Sequence, residues 1–212
     1  MSKPARILKL GVLISGGGRT LQNLLDCISA GTLPATVEIV ISSRKSAAGI
    51  ARAERAGVPV EVIPPHAMGP EEFYDRISKT LDRTGIDLVC MCGYVRFWRI
   101  PERYWGRVMN IHPALLPKFG GKGFYGQTVH RAVLEAGNKV SGCTVHFVDN
   151  EYDHGPIILQ RGVDVLADDS VESLTERVFQ QEKIAYPDAI RLYAEDRLRM
   201  EQGRVKIDPR PA

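Results

Sequence analysis

Asn110 and His112 stand two apart in the stretch NIHPALLP, residues 110–117, directly after an apolar run. Along an extended chain residues two apart share a side, so the amide and the imidazole can point at one reacting atom while Ile111 turns into the core. An amide N–H can donate to a developing oxyanion. An imidazole can move the proton that an attacking amine loses or a leaving nitrogen gains. The pair suits acyl transfer, with Pro113 and Pro117 stiffening the chain beyond it. The same residues also fit a rigid turn whose histidine is satisfied by backbone partners.

Two further stretches hold residue types with chemistry in them. In ISGGGRTL, residues 14–21, three consecutive glycines join an apolar run to a helical one. Such a loop exposes backbone N–H groups to a phosphate at a helix N-terminus, with Arg19 adding charge and Thr20 a hydroxyl. A plain tight turn is the alternative. Gly16 and Gly18 match the start of a dinucleotide fingerprint, but its third glycine falls on Leu21 and the next strand ends SSRK without an acidic residue, which argues against NAD. Arg44 and Lys45 leave a 2′-phosphate of NADP open.

In DNEYDHGPI, residues 149–157, Asp149, Glu151 and Asp153 make the densest acidic turn of the chain. A carboxylate from it would orient an imidazole and raise its pKa, whereas most acidic turns are solvated loops. His154 is expected to be exposed, because no second and third metal ligand stands at a usable spacing. His146 alternates with Val145 and Phe147, which predicts the opposite strand face and a structural hydrogen bond. The run YVRFW, residues 94–98, fits either the lining of a flat aromatic ligand or core packing. His66 and His130 stand out in no pattern.

Short apolar runs alternate with amphipathic helical stretches over residues 1 to about 95, the mark of βαβ units and a parallel sheet. Gly31 and Gly57 fall where left-handed helix caps belong. From Pro101 the rhythm changes. RVMNIHP reads as one more buried strand, KFGGKGFYGQ as a loop with four glycines, and TVHRAVLEAG as a helix. SGCTVHFVD and GPIILQRGVDV read as a hairpin-like pair at one edge of a mixed sheet. The final helical pattern opens with Ser170 as N-cap and runs through RLYAEDRLR, with Pro187 kinking or dividing it and only the last few residues a loose tail.

The 212 residues, 44% of them hydrophobic, suffice for a single domain with a real core, 1–212, made of halves at about 1–95 and 96–212. A formal charge of +3, from 28 basic and 25 acidic residues, advertises neither nucleic acid nor membrane. Cys27, Cys90, Cys92 and Cys143 form no CxxC pair, and no apolar run is long enough to span a bilayer. A soluble, cytoplasmic protein with reduced cysteines is expected.

VLISGGGRTLQNLL, GYVRFW, NIHPALLPKF, GCTVHFVDNEYDHGPIILQ and ERVFQQEKIAYP, in this order over roughly residues 8–200, resemble the folate-dependent glycinamide ribonucleotide formyltransferases of purine biosynthesis. The resemblance implies a doubly wound, Rossmann-like α/β fold with a mixed, mostly parallel sheet flanked by helices. It implies transfer of a formyl group from 10-formyltetrahydrofolate, as co-substrate, to the amine of 5-phosphoribosylglycinamide, without metal, by a monomer or homodimer. Carried over residue by residue, His112 is the general acid, Asn110 the oxyanion donor and Asp153 the carboxylate that tunes the histidine. Gly18, Arg19 and Thr20 form the phosphate cradle, and Glu182 helps hold the ribonucleotide. Val95, Arg96, Phe97, Trp98, Asn110 and the turn Asp149, Asn150, Glu151, Tyr152 and Asp153 hold folate.

Three departures from the pattern stand out. Glu71 occupies the place of a folate-contacting arginine, His154 stands where glycine is common, and the loop Gly120–Gly126 is long enough for a mobile flap or mere decoration. Rival expectations are formyltetrahydrofolate hydrolysis, which in that family comes with an extra N-terminal domain, transfer onto a nucleotide-linked sugar, or a non-catalytic NADP- or nucleotide-binding module.

Overall fold

A computed structural model describes residues 6–209, and the chain divides into two compact units, Met1–Met109 and Asn110–Ala212. The division falls inside one strand rather than near residue 95. The first unit holds β1 (Leu8–Ile14), α1 (Arg19–Ser29), β2 (Ala35–Ser42), α2 (Gly49–Arg55), β3 (Val60–Val62), α3 (Pro70–Arg83) and β4 (Leu88–Met91). β5 (Val108–His112) crosses the division, followed by α4 (Gln127–Glu135), β6 (Val140–Phe147), β7 (Ile157–Asp164), α5 (Val171–Ala194), β8 (Leu198–Glu201) and β9 (Arg204–Ile207).

Seven strands form one sheet in the order β3-β2-β1-β4-β5-β6-β7. β1 lies parallel to both β2 and β4, and β2 parallel to β3. Leu10, Val12, Leu13 and Ile14 of β1 and all of β4 are buried, as strands covered on both faces must be, which explains their near-continuous apolar runs. Gly31 and Gly57, at φ 68° and 69°, follow the last residues of α1 and α2 as the expected left-handed caps.

β6 and β7 pair antiparallel, from Val140 opposite Asp164 to His146 opposite Ile157, and the register shifts between Val145 and His146. Ser170 caps α5 through a reciprocal bond with Ser173, and the helix continues through Pro187 undivided. It also stops earlier than its pattern predicts. After Ala194 the chain forms the antiparallel pair β8–β9, turning at Gln202 and Gly203 with φ 49° and 74°, where sequence periodicity had read helix and tail. Among the described residues no helix is long and apolar enough to cross a membrane.

Candidate active site

Two buried histidines and the half-buried Asp153 meet around Asn110, in β5. The β strand puts Asn110 and His112 two residues apart, and the turn after β6 returns Asp153 to them. His112 Nδ1 lies 3.5 Å from Asp153 Oδ2, and Asn110 Nδ2 donates to Asp153 Oδ1 at 3.4 Å. The fourth member is His146. Its Nε2 lies 3.2 Å from Asn110 Nδ2 and 3.8 Å from Asp153 Oδ1. Strict alternation had set His146 aside as structural. The register shift beside it puts its extra residue on β7, at Ile158, and leaves the alternation of β6 intact; the face opposite Val145 and Phe147 is the one on which the ring meets the acid. Its Nδ1 does keep a structural bond, 2.8 Å from the Phe147 carbonyl oxygen. A nitrogen facing a carbonyl must carry the proton, so in the neutral ring Nε2 accepts from Asn110.

The loop after NIHPALLP closes on this group from the other side. His112 Nε2 lies 2.8 Å from the Phe119 carbonyl, and the Gly121 N–H donates to Asp153 Oδ2 at 3.0 Å. Neither partner has a residue-type signature, since both are backbone groups. Phe119 and Asp153 adopt φ of 58° and 53°, so backbone strain sits at the two residues that face the two nitrogens of His112. Gly120 fills the space between them: a Cβ there would lie 2.5 Å from Leu116 Cδ2 and 3.2 Å from Asp153 Cβ. The first part of the glycine loop is therefore part of the site.

Electrostatics follow from this geometry. Burial is the largest influence on His112 and pulls its pKa down, against the lifting effect of Asp153 and the Phe119 carbonyl; His146 pulls it down further. Both ring nitrogens face acceptors, so gaining a proton completes both bonds. For Asp153 burial works upward, but the His146, His112 and Gly121 contacts together leave its carboxyl below the usual range. His130, which stood out in no sequence pattern, is buried in α4. Burial first, and the charge of His112 second, push its pKa down to about 4.

The rest of the acidic turn faces elsewhere. Asp149 pairs with the exposed His154 at 2.7 Å and accepts the Glu151 N–H, while Asn150, Glu151 and Tyr152 are exposed. Of this turn only Asp153 meets the imidazoles of His112 and His146. Among the described residues no group of His, Cys, Asp and Glu could hold a metal ion. Glu182, half-buried on α5, lies toward β6, where burial first and then its charge help hold the Cys143 thiol up to about 12.

In the first unit Gly18, at φ 70°, precedes α1, whose first residues are the exposed Arg19 and the half-buried Thr20. The family model for formyl transferases matches residues 8–190. The chain belongs to this family. It is 36% identical to the phosphoribosylglycinamide formyltransferase of Haemophilus influenzae over 94% of its own length and 93% of that protein's. It is 40% identical to the trifunctional purine biosynthetic protein adenosine-3 of Gallus gallus over 88% of its length, but spans only 18% of that longer protein. The solved structure of glycinamide ribonucleotide transformylase 1 from Symbiobacterium toebii superposes with a TM-score of 0.89 at 45% identity, covering 96% of this chain and 95% of that one.

In this formyl transferase the segment Val95–Trp98 divides by burial. Val95 and Phe97 are half-buried and Arg96 is exposed, whereas Trp98 is core. Its indole N–H donates to the Tyr74 carbonyl and Ser78 Oγ at 3.2 and 3.3 Å, and its ring packs edge-on against Tyr104. Of the two readings of YVRFW, core packing is the one the Trp98 side chain follows, because the indole spends its ring and its N–H inside the unit. The Val95 N–H is fixed by Ser15 Oγ at 3.1 Å, and Ser15 is itself bonded to Ser43 at 2.7 Å. Glu71 holds Arg99 at 2.8 Å, with the guanidinium 5.6 Å over the Tyr74 ring. A cation thus stands directly after the YVRFW run, although position 71 itself is acidic.

Proposed function

We propose that this formyl transferase transfers the formyl group of 10-formyltetrahydrofolate to the amine of 5-phosphoribosylglycinamide, in the cytoplasm, as a step of purine biosynthesis. One observation carries the reading: in a chain of this family, an amide and an imidazole of the types acyl transfer needs each lie within 3.5 Å of one carboxylate. The amine attacks the formyl carbon, a new C–N bond forms, and an Asn110 N–H leaves its long bond to Asp153 for the oxyanion. Burial keeps His112 neutral at rest, so it collects the proton shed by the amine and returns it to N10 of the folate as the old C–N bond breaks. In the neutral ring the Phe119 carbonyl keeps the proton on Nε2, so Nδ1, the nitrogen that faces Asp153, takes the second proton up and gives it back.

Gly18, Arg19 and Thr20 take the phosphate, and Glu182 contacts the ribonucleotide. Folate lies against Val95, Arg96, Phe97 and the turn Asp149–Asp153, with Trp98 contributing through its backbone. Holding two substrates together supplies most of the remaining rate.

Turnover of 10-formyltetrahydrofolate, followed by folate absorbance with and without the ribonucleotide, tests the reading. Acceptor-dependent turnover supports it, acceptor-independent turnover would mean a hydrolase, and no turnover would sink the enzymatic assignment. His112→Ala and Asp153→Ala are each expected to lose most of the turnover while still binding ribonucleotide.

A further inference from the structure

We infer that Gly49 and Arg52, both on α2, are positioning residues that aim the N–H groups of the Gly16–Gly18 loop at a phosphate monoester; this rests on the function proposed above. The Gly49 N–H donates to the Gly16 carbonyl at 3.0 Å, and Arg52 Nε donates to the Gly17 carbonyl at 2.9 Å. In a trans peptide the C=O and the following N–H point in opposite directions. Tying those two carbonyls to α2 therefore turns the N–H groups of Gly17 and Gly18 away from it. Neither N–H has a hydrogen-bond partner among the described residues. Two unused N–H groups aimed together at the start of an eleven-residue helix form a nest for an anion.

The tether is tight. A Cβ on Gly18 would lie 2.6 Å from Gly49 Cα, and one on Gly49 would lie 3.1 Å from Gly18 Cα and 3.2 Å from the Gly16 oxygen. Only two glycines permit this approach. The other arm of the guanidinium donates to Gln22 Oε1 at 3.2 Å, on the first turn of α1, and the Gln22 amide in turn donates to Asp26. Arg52 thus braces the loop and the helix start together, and its charge stands behind the nest without having to touch the ligand. A lysine keeps the charge but lacks the planar fork that makes both bonds.

The test compares wild type, Arg52→Met and Arg52→Lys on 5-phosphoribosylglycinamide and on its dephosphorylated riboside. Both variants are expected to raise KM for the phosphorylated acceptor by about ten- to a hundredfold, the size of a lost charge-assisted hydrogen bond. KM for 10-formyltetrahydrofolate and kcat/KM for the riboside should stay near wild type. Equal losses on both acceptors, or full rescue by lysine, would overturn the positioning role. A titration with inorganic phosphate, read by the amide resonances of Gly17 and Gly18, keeps the test independent of turnover. Shifts are expected in wild type and weakened in Arg52→Lys; unshifted wild-type amides would overturn the nest itself. Wild type that binds phosphate but leaves the ribonucleotide unformylated would instead sink the proposed function and spare the nest.

Discussion

His112 and Asp153 face each other at 3.5 Å, and one loop grips both from behind, through the Phe119 carbonyl on the imidazole and the Gly121 N–H on the carboxylate. Asp153→Asn keeps the shape and removes the charge that opposes burial at His112. The variant is expected to lose about a hundredfold or more in kcat, within the usual range for a positioned acid–base group. Its pH–rate profile should also move its acid limb to lower pH, since Asp153 is the largest influence raising the His112 pKa. A profile unchanged in shape, with a loss only in amount, would assign Asp153 to packing.

His146 touches the same carboxylate and lowers the pKa of His112. His146→Gln retains an acceptor for the Asn110 amide but removes the ionisable ring, whereas His146→Leu removes both. The glutamine variant should shift the acid limb to higher pH with kcat near wild type. The leucine variant should shift it likewise and lose about tenfold more, because Asn110 is then aimed by Asp153 alone. Steady-state rates between pH 5 and 9 separate the two effects.

How much of this was legible in sequence depended on which atoms did the work. Asn110, His112 and Asp153 are side chains with recognisable chemistry, and they do come together. The alternation of apolar runs and helical stretches likewise marks β1 to β4 and their helices, because burial on both faces leaves a strong pattern. The Phe119 carbonyl and the Gly121 N–H are backbone groups that any residue owns. His146 was set aside because alternation tells which face a residue takes and not what stands on that face, and the two readings of the run ending at Trp98 stayed open because its neighbours in sequence do not reveal that Tyr74 and Ser78 take its N–H. The β8–β9 hairpin did carry a signal: a Gln-Gly turn between alternating stretches, masked by the helix former-rich run before it.

Gly120 tests how closely the loop sets the carboxylate. An added Cβ meets Leu116, whose methyl can turn aside, and Asp153 Cβ at 3.2 Å, which must give by a few tenths of an ångström. Gly120→Ala is therefore expected to cost only about 1 kcal/mol of stability, as mild overpacking does. In kcat it should lose about threefold to tenfold, since reaction geometry tolerates less than folding does. Urea unfolding and single-turnover rates on the same preparation would show whether activity falls further than stability.

His130 should make the protein acid-sensitive without taking part in the chemistry. Its pKa is about 4 in the folded chain, set by burial and by the charge of His112, against about 6.5 when unfolded. Between those values the unfolded chain binds the proton and the folded one does not. The contribution of this group is therefore fully present above pH 6.5 and is lost as pH falls toward 4, by about 3 kcal/mol across the window. Replacing His130 with Phe removes the titrating group. The difference in unfolding free energy between wild type and His130→Phe should then change by that amount between pH 7 and pH 4, with wild type losing more. Parallel curves for the two proteins would mean that His130 stays neutral in both states, or charged in both, and that the acid sensitivity lies with His112.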